Sequence, residues 1–165
     1  MSGRPQSPKI EVATVAPLLS VRHGTSAVEF YKQAFGASEV FRIESDDGAV
    51  VARLSVGGSE FWLADESPEH ANFSPESLGG GSVRMILMVD NPDGIFERAV
   101  TAGATVVYKV ANQPYGWRVG RVVDPFGHHW EIAKPLCGEL KKPGGSGPNL
   151  PASPPPSPVS RQTND

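Results

Sequence analysis

A histidine and a glutamate lie two positions apart near the end of the chain, in the segment VVDPFGHHWEIA at residues 122–133. Alternate side chains of a strand point to the same face, so His129 and Glu131 share one face, while Trp130 and Ile132 share the other. The apolar face is typical of a core. The opposite face pairs an imidazole with a carboxylate, which are groups used in acid/base catalysis and metal binding. Glu131 and His129 are therefore the candidate catalytic residues and the only candidate metal ligands.

The strand that carries these residues follows a tight turn at Asp124-Pro125-Phe126-Gly127. Proline fixes φ at the second position of the turn, and Gly127 can adopt the conformation that a side chain would resist. A glycine also comes before the predicted strand 60–64, at Gly58, and the pair Gly36-Ala37 recurs as Gly103-Ala104. Two similar units in tandem indicate an internal duplication.

Each predicted unit has the order β-α-β-β-β. In the first, a strand at 12–21 places Val15, Pro17, Leu19 and Val21 on the core face. A capping box formed by Ser26 and Glu29 begins a helix that ends at Gly36. Three strands then cover 39–44, 49–56 and 60–64, and a polar loop at 66–81 joins the units.

The second unit repeats this pattern. A strand at 83–90 precedes a helix that begins at Asn91, which caps it, and Pro92, and that ends at Gly103. Strands at 105–111, 118–123 and 128–133 complete the unit. The units therefore occupy about 10–66 and 82–136 of a single domain, 10–136. Residues 1–9 are predicted to form a disordered arm, and the Pro/Ser/Gly-rich residues 137–165 a disordered tail.

Composition excludes several classes of function. The 165 residues carry a formal net charge of −3, without the clustered basic excess of a nucleic-acid-binding protein. No apolar run is long enough to span a membrane, and the N-terminus lacks the apolar core of a signal peptide. The single cysteine, Cys137, cannot form an intramolecular disulfide, so the expected location is the cytoplasm.

The DPFGHxW segment, together with Tyr115-Gly116-Trp117-Arg118 before it, resembles the closing strand of the vicinal oxygen chelate superfamily. This superfamily contains the glyoxalase, bleomycin-resistance and extradiol-dioxygenase proteins. The resemblance covers roughly residues 12–135. It implies an α+β fold in which two tandem βαβββ units form a curved mixed sheet, or cup, with the helices on the convex face. It also implies a homodimer, because members commonly cover exposed sheet edges with a partner.

The resemblance also identifies the family's metal positions in this chain as Ala16, Trp62, Arg84 and Glu131. Only Glu131 has a metal-binding side chain, since alanine, the indole nitrogen and a guanidinium cannot act as ligands. We therefore expect no metal cofactor, and we expect an ion pair between Arg84 and Glu131 in its place. A divalent metal held by Glu131 and His129 is the alternative.

Two functions follow from this resemblance. In the first, the cup binds a small organic molecule, with Arg84 as a clamp for a carboxylate or phosphonate. The other expected ligand-binding residues are Trp62, Glu60, Tyr115 and Trp117. In the alternative, the chain is a glyoxalase-type lyase, isomerase or dioxygenase, either metal-dependent or using Glu131 or His129 without a metal.

Overall fold

The computed structural model describes residues 13–136, which form two consecutive βαβββ units. The first unit consists of β1 (Leu18–Val21), α1 (Gly24–Phe35), β2 (Ser38–Glu44), β3 (Val50–Val56) and β4 (Ser59–Asp65). The second consists of β5 (Arg84–Met88), α3 (Pro92–Thr101), β6 (Thr105–Asn112), β7 (Trp117–Val123) and β8 (His129–Pro135), and a short helix α2 (Pro75–Leu78) lies between the units. The predicted arm, the predicted tail and Cys137 lie outside the described residues.

Each unit forms its own four-stranded mixed sheet, in the orders β1-β4-β3-β2 and β5-β8-β7-β6. The first strand of each unit runs parallel to the last, and the remaining pairs are antiparallel. The predicted α+β fold with two tandem units is thereby confirmed. Within residues 13–136 both sheets are open, with edge strands β1 and β2 in the first and β5 and β6 in the second.

The two units share one hydrophobic core. Helices α1 and α3 contact each other and cover one face of the sheets. Three aromatic residues of α1 face the second unit, and the Phe35 and Trp130 rings approach to 4.7 Å between centroids. Tyr31 lies between the sheets, with its ring 5.2 Å from Phe61 and 5.5 Å from Trp130. One face of each sheet therefore packs in this core, and on β8 that face carries Trp130 and Ile132. The opposite face of each sheet points away from the core and is its open face.

A buried carboxylate joins the β7–β8 turn to α1. Asp124 is 4% exposed. Its Oδ2 accepts hydrogen bonds from the Tyr31 hydroxyl at 2.6 Å and the Trp130 indole at 2.9 Å, and its Oδ1 accepts from the backbone N–H groups of Phe126 and His128. These four donors satisfy a charge that would otherwise be costly to bury.

Two predictions about the start of the chain are wrong. β1 is only four residues long, and Val15, placed in the core by the alternating pattern, is 97% exposed. The prolyl residue Pro17 still contributes to the sheet through its carbonyl, which accepts from the Trp62 N–H at 2.8 Å. Leu19 and Val21 are buried as predicted.

The predicted capping box of α1 is also wrong. The helix begins three residues earlier, at Gly24, and His23 takes the N-cap position predicted for Ser26 but makes no side-chain capping bond. The Gly24 N–H instead donates to Asp65 Oδ1 at 2.9 Å, so a carboxylate from β4 takes the role of a local cap. In α3 the predicted cap is confirmed, because Asn91 Oδ1 accepts from the Gly94 N–H at 3.1 Å.

The linker at 66–81 is more ordered than the loop predicted from its composition. It contains a 3₁₀ turn at Pro68–His70 and the helix α2. Glu66 accepts hydrogen bonds from the Ser77 hydroxyl and the Ser74 N–H, which lower the pKa of Glu66 to about 2. A Cβ at Gly127, where φ is +88°, would lie 2.8 Å from Pro75, so the linker packs directly on the β7–β8 turn.

Candidate functional site

Strand β8 places His129 and Glu131 on the open face of the second sheet, as the alternating pattern predicts. Trp130 and Ile132 are 3% and 0% exposed in the shared core, so the intervening residues must point away from it. Glu131 itself is only 5% exposed. A carboxylate this buried needs a compensating charge or several hydrogen bonds.

Arg84 supplies that charge. It begins β5 and lies opposite His129 in the parallel register with β8. Its Nη1 donates to Glu131 Oε1 at 3.0 Å, which confirms the ion pair expected from the sequence. The side chain of Glu131 is 6% exposed and that of Arg84 is 39% exposed. The carboxylate is thus buried beneath a guanidinium that remains accessible from the open face.

A second arginine, which the sequence patterns do not predict, lies on this face. Arg121 of β7 lies directly opposite Glu131 of β8. Its Nη2 and Nε lie 2.9 and 3.2 Å from His129 Nδ1. Burial lowers the pKa of His129, and the positive charge of Arg121 lowers it further. The alternation along β7 could have indicated which face Arg121 lies on. Its contact with His129 could not be predicted in this way, because that contact depends on the register of β7 with β8.

Two tyrosines border the charged residues of this sheet. Tyr108 of β6 lies opposite Arg121, and burial followed by the negative charge of Glu131 raises the pKa of its hydroxyl. Burial and Glu131 likewise raise the pKa of Tyr115, in the β6–β7 hairpin. Trp117 begins β7 on the same face as Arg121 and pairs with Pro135. The structure therefore places Tyr115 within electrostatic reach of Glu131. Trp117 lies next to Pro135, at the C-terminal end of β8.

The open face of the first sheet carries an aromatic cluster in place of a buried carboxylate. The guanidinium carbon of Arg53 lies 5.4 Å from the centroid of the Trp62 ring, and the Phe41 ring makes an edge contact with Trp62 at 5.7 Å between centroids. Arg53 also pairs with Glu60 at 3.5 Å. A cation over an indole face is attracted by the ring quadrupole, so Arg53 and Phe41 both help to fix the position of the Trp62 ring.

The structure thus divides the predicted site residues between two sheets. Arg84, His129 and Glu131 are in contact or in register on the second sheet, whereas Glu60 and Trp62 lie on the first. Within residues 13–136, no hydrogen bond, ion pair or aromatic contact joins the two open faces.

The side chains at the family's metal positions do not fit a divalent metal. Ala16 precedes β1 and has no side-chain donor atom, the Trp62 ring contacts Arg53 and Phe41, and Arg84 donates to Glu131. His129 Nδ1 is occupied by Arg121. In the described part of the chain, no group of three or more His, Cys, Asp or Glu side chains is arranged to hold a metal ion.

None of the helices between residues 13 and 136 is long and apolar enough to cross a membrane.

Comparisons with known proteins agree with this fold. Residues 12–132 match the family model described as "Glyoxalase/Bleomycin resistance protein/Dioxygenase superfamily". An uncharacterized protein of Mycobacterium bovis is 40% identical over 126 residues, which cover 74% of this chain and 83% of that protein. A solved structure of an Arabidopsis thaliana gene product has a TM-score of 0.60 at 30% identity, covering 75% of this chain and 98% of the other. The structure of TioX from Micromonospora sp. has a TM-score of 0.57 at 26% identity, covering 74% and 100%.

Proposed function

Because this chain belongs to the glyoxalase/bleomycin resistance protein/dioxygenase superfamily, we propose that it is a small-molecule-binding member whose ligand lies against the open face of the second sheet. The observation that carries this proposal is the Arg84–Glu131 pair. The buried carboxylate fixes the position of the guanidinium, and the exposed part of the guanidinium is available to a ligand. A charged group held in place before binding loses little entropy when the ligand arrives.

The apolar part of the ligand would contact aromatic residues. Tyr115 and Trp117 lie on or beside the second sheet, and Trp62 forms the centre of the cluster on the first. Aromatic walls with a few polar groups are typical of small-molecule sites. Metal-dependent glyoxalase-type chemistry receives no support from the donor atoms at the family's metal positions, because Lewis-acid catalysis needs ligands that these side chains do not provide.

A homodimer is part of the proposal. Leu18 and Ile86 lie on edge strands β1 and β5, next to Trp62 and Glu131 respectively, and are 55% and 56% exposed. Apolar residues on unpaired edges favour association, and a second copy of this chain would cover them. A cytoplasmic location remains a prediction from the single cysteine.

The binding proposal can be tested with ¹H–¹⁵N NMR spectra of the full chain and a panel of benzoate, phenylphosphonate, benzamide and benzylamine at millimolar concentration. We expect at least one compound to shift the amide signals of β5 and β8. Arg84→Met should weaken that binding about tenfold or more, because a charge-assisted hydrogen bond contributes roughly 1.5–3 kcal/mol.

Arg98→Met is the matched control, because Arg98 is an exposed arginine of α3 that donates to the Gln33 carbonyl, away from both open faces. This variant should bind like the wild type. If no compound of the panel shifts the signals of β5 and β8, the proposed function is wrong.

A further inference from the structure

The contact between Arg121 and His129 determines which nitrogen of the imidazole carries the proton. Nη2 and Nε of Arg121 lie 2.9 and 3.2 Å from His129 Nδ1. A guanidinium has only N–H donors and is charged throughout the physiological pH range. The nitrogen that it contacts must therefore be an acceptor with a free lone pair. A neutral imidazole with an unprotonated Nδ1 carries its proton on Nε2.

From this geometry we infer that Arg121 holds His129 in the Nε2–H tautomer and that the second sheet is thereby built to bind an oxyanion, either a carboxylate or a phosphonate. The inference rests on the proposed function and specifies its ligand. Arg121 is a positioning and specificity-determining residue in this assignment, since it acts on the ligand through the proton of His129 as well as through its own charge.

The charges of the face support the same ligand class. Arg84 and Arg121 bring two positive charges, and Glu131 brings one negative charge, which Arg84 already contacts. The face therefore keeps a positive excess. A carboxylate or phosphonate would neutralise this excess and accept from the donors, whereas an ammonium group would add a like charge. A neutral amide would gain neither the charge pairing nor the strength of a charge-assisted bond.

The same contact disfavours His129 as a metal ligand. A histidine that binds a metal through one nitrogen ordinarily donates its other N–H to a carboxylate or carbonyl, and this donation strengthens the ligand. Here the second nitrogen accepts from a cation, and the first carries the proton. Coordination through Nε2 would require His129 to lose that proton while Nδ1 still faces Arg121, or the Arg121 contact to break.

The test combines two readouts on the full chain labelled with ¹⁵N. Long-range ¹H–¹⁵N spectra of the imidazole report directly which nitrogen of His129 is protonated. Titration with benzoate, phenylphosphonate and the neutral benzamide reports the ligand class. We expect the Nε2–H tautomer in the wild type. We also expect the two anions to shift the His129 Nε2 and Arg121 Nε signals. Benzamide should bind at least tenfold more weakly than either anion.

Arg121→Met should release His129 into a mixture of tautomers and weaken anion binding about tenfold or more. Arg121→Lys keeps the charge but loses the planar fork. It should therefore bind anions more tightly than Arg121→Met but should not restore a single tautomer of His129. Arg98→Met is again the control. A merely structural role for Arg121 would change stability without changing the tautomer of His129.

The possible failures can be told apart. An Nδ1–H or doubly protonated His129 in the wild type, or benzamide binding as tightly as benzoate, would overturn the inference and leave the binding function standing. If none of the compounds shifts signals on β5, β7 or β8, the inference and the proposed function both fail. If phenylphosphonate binds and benzoate does not, or the reverse, the oxyanion assignment stands and its source is identified.

Discussion

Glu131 combines two properties that rarely occur together, because it belongs to the open face of a sheet and is nevertheless almost completely buried. Its carboxylate depends on Arg84, whose guanidinium lies above it at 3.0 Å. The first sheet offers a natural comparison at Glu60, which pairs with Arg53 at 3.5 Å and is 40% exposed. An exposed ion pair contributes little to stability, whereas removing one partner of a buried pair leaves the other uncompensated.

Glu131→Gln should therefore lower the free energy of unfolding by about 1–2 kcal/mol, because Arg84 loses its charged partner while remaining partly solvated. Urea unfolding followed by circular dichroism measures this change. Glu60→Gln is the matched control. It should lower the free energy of unfolding by less than about 1 kcal/mol, because Glu60 and its partner Arg53 are both already in contact with water.

The same variant separates the binding protein from a metal enzyme. Thermal melts of the wild type and Glu131→Gln with and without Ni²⁺, Zn²⁺ and Fe²⁺ should show no metal-dependent stabilisation in either protein. If the wild type holds about one metal per subunit and melts higher with it, and Glu131→Gln does neither, the glyoxalase-type enzyme replaces the present proposal.

The sequence was sufficient to predict the Arg84–Glu131 contact, because the resemblance to the superfamily identifies both residues with metal positions of the same site. It was not sufficient to find Arg121. The contact between Arg121 and His129 depends on the pairing of β7 with β8. If the register of β7 shifted by one residue, the side chain of Arg121 would point toward the core.

At the scale of elements, the position of the β7–β8 hairpin depends on α1. The Tyr31 hydroxyl is buried and donates to Asp124 at 2.6 Å. Burial, followed by the negative charge of Asp124, raises the pKa of Tyr31 well above its usual range. The hairpin that carries His129 and Glu131 therefore contacts a helix of the other unit through aromatic packing and through this hydrogen bond, which a phenylalanine at position 31 would remove.

Tyr31→Phe should destabilise the protein by about 1.5–3 kcal/mol at neutral pH, because it removes one charge-assisted donor from a buried carboxylate. The folded pKa of Tyr31 is raised, so the stability due to its proton is complete below about pH 10 and is lost as the pH rises above that value. Urea unfolding measured between pH 7.5 and 10.5 should show a smaller decrease in the free energy of unfolding for Tyr31→Phe than for the wild type.

Tyr115→Phe is the control for this measurement, since Tyr115 is 38% exposed. It should leave the free energy of unfolding at neutral pH nearly unchanged and keep most of its decrease at high pH, because Tyr115 is much less buried than Tyr31. Identical pH dependences for wild type and Tyr31→Phe would show that the Tyr31–Asp124 bond does not carry the effect.

The start of α1 shows why local patterns can mislead at this scale. Ser26 and Glu29 have the spacing of a capping box, but Glu29 instead pairs with Lys32 at 3.0 Å on the helix surface. Asp65, a residue of β4, binds the N–H groups of Gly24 and Val50 and so sets where the helix begins. A cap supplied from 41 positions away along the chain leaves no local signature.

At the scale of the whole molecule, the two duplicated units have kept one architecture and acquired different surfaces. Trp62 and Glu131 occupy corresponding places, each beside an exposed aliphatic residue of the adjoining edge strand, Leu18 or Ile86. The first unit presents an aromatic cluster and the second a charged one. Both edges remain unpaired in the part of the chain that the structure describes, which is the basis for proposing a second copy.

The wild type should be a dimer at micromolar concentration, with a mass of twice 17.5 kDa by light scattering after size exclusion. Ile86→Lys should shift it toward the monomer, because a charge on the edge strand opposes strand association. Leu78→Lys is the control, since Leu78 is 65% exposed on α2, which is not part of either sheet. A wild type that is strictly monomeric would contradict the proposal.

The packing of the linker on the β7–β8 turn has a consequence for protein engineering. The linker is the obvious place to open new chain ends in a circular permutant, because it joins two similar halves. Its Ser74 is fully buried, however, and Pro75 fills the space above Gly127, so a cut there would loosen the hairpin that carries His129 and Glu131. The β2–β3 turn is the better place, since nothing lies within 4 Å of a Cβ built at Gly48.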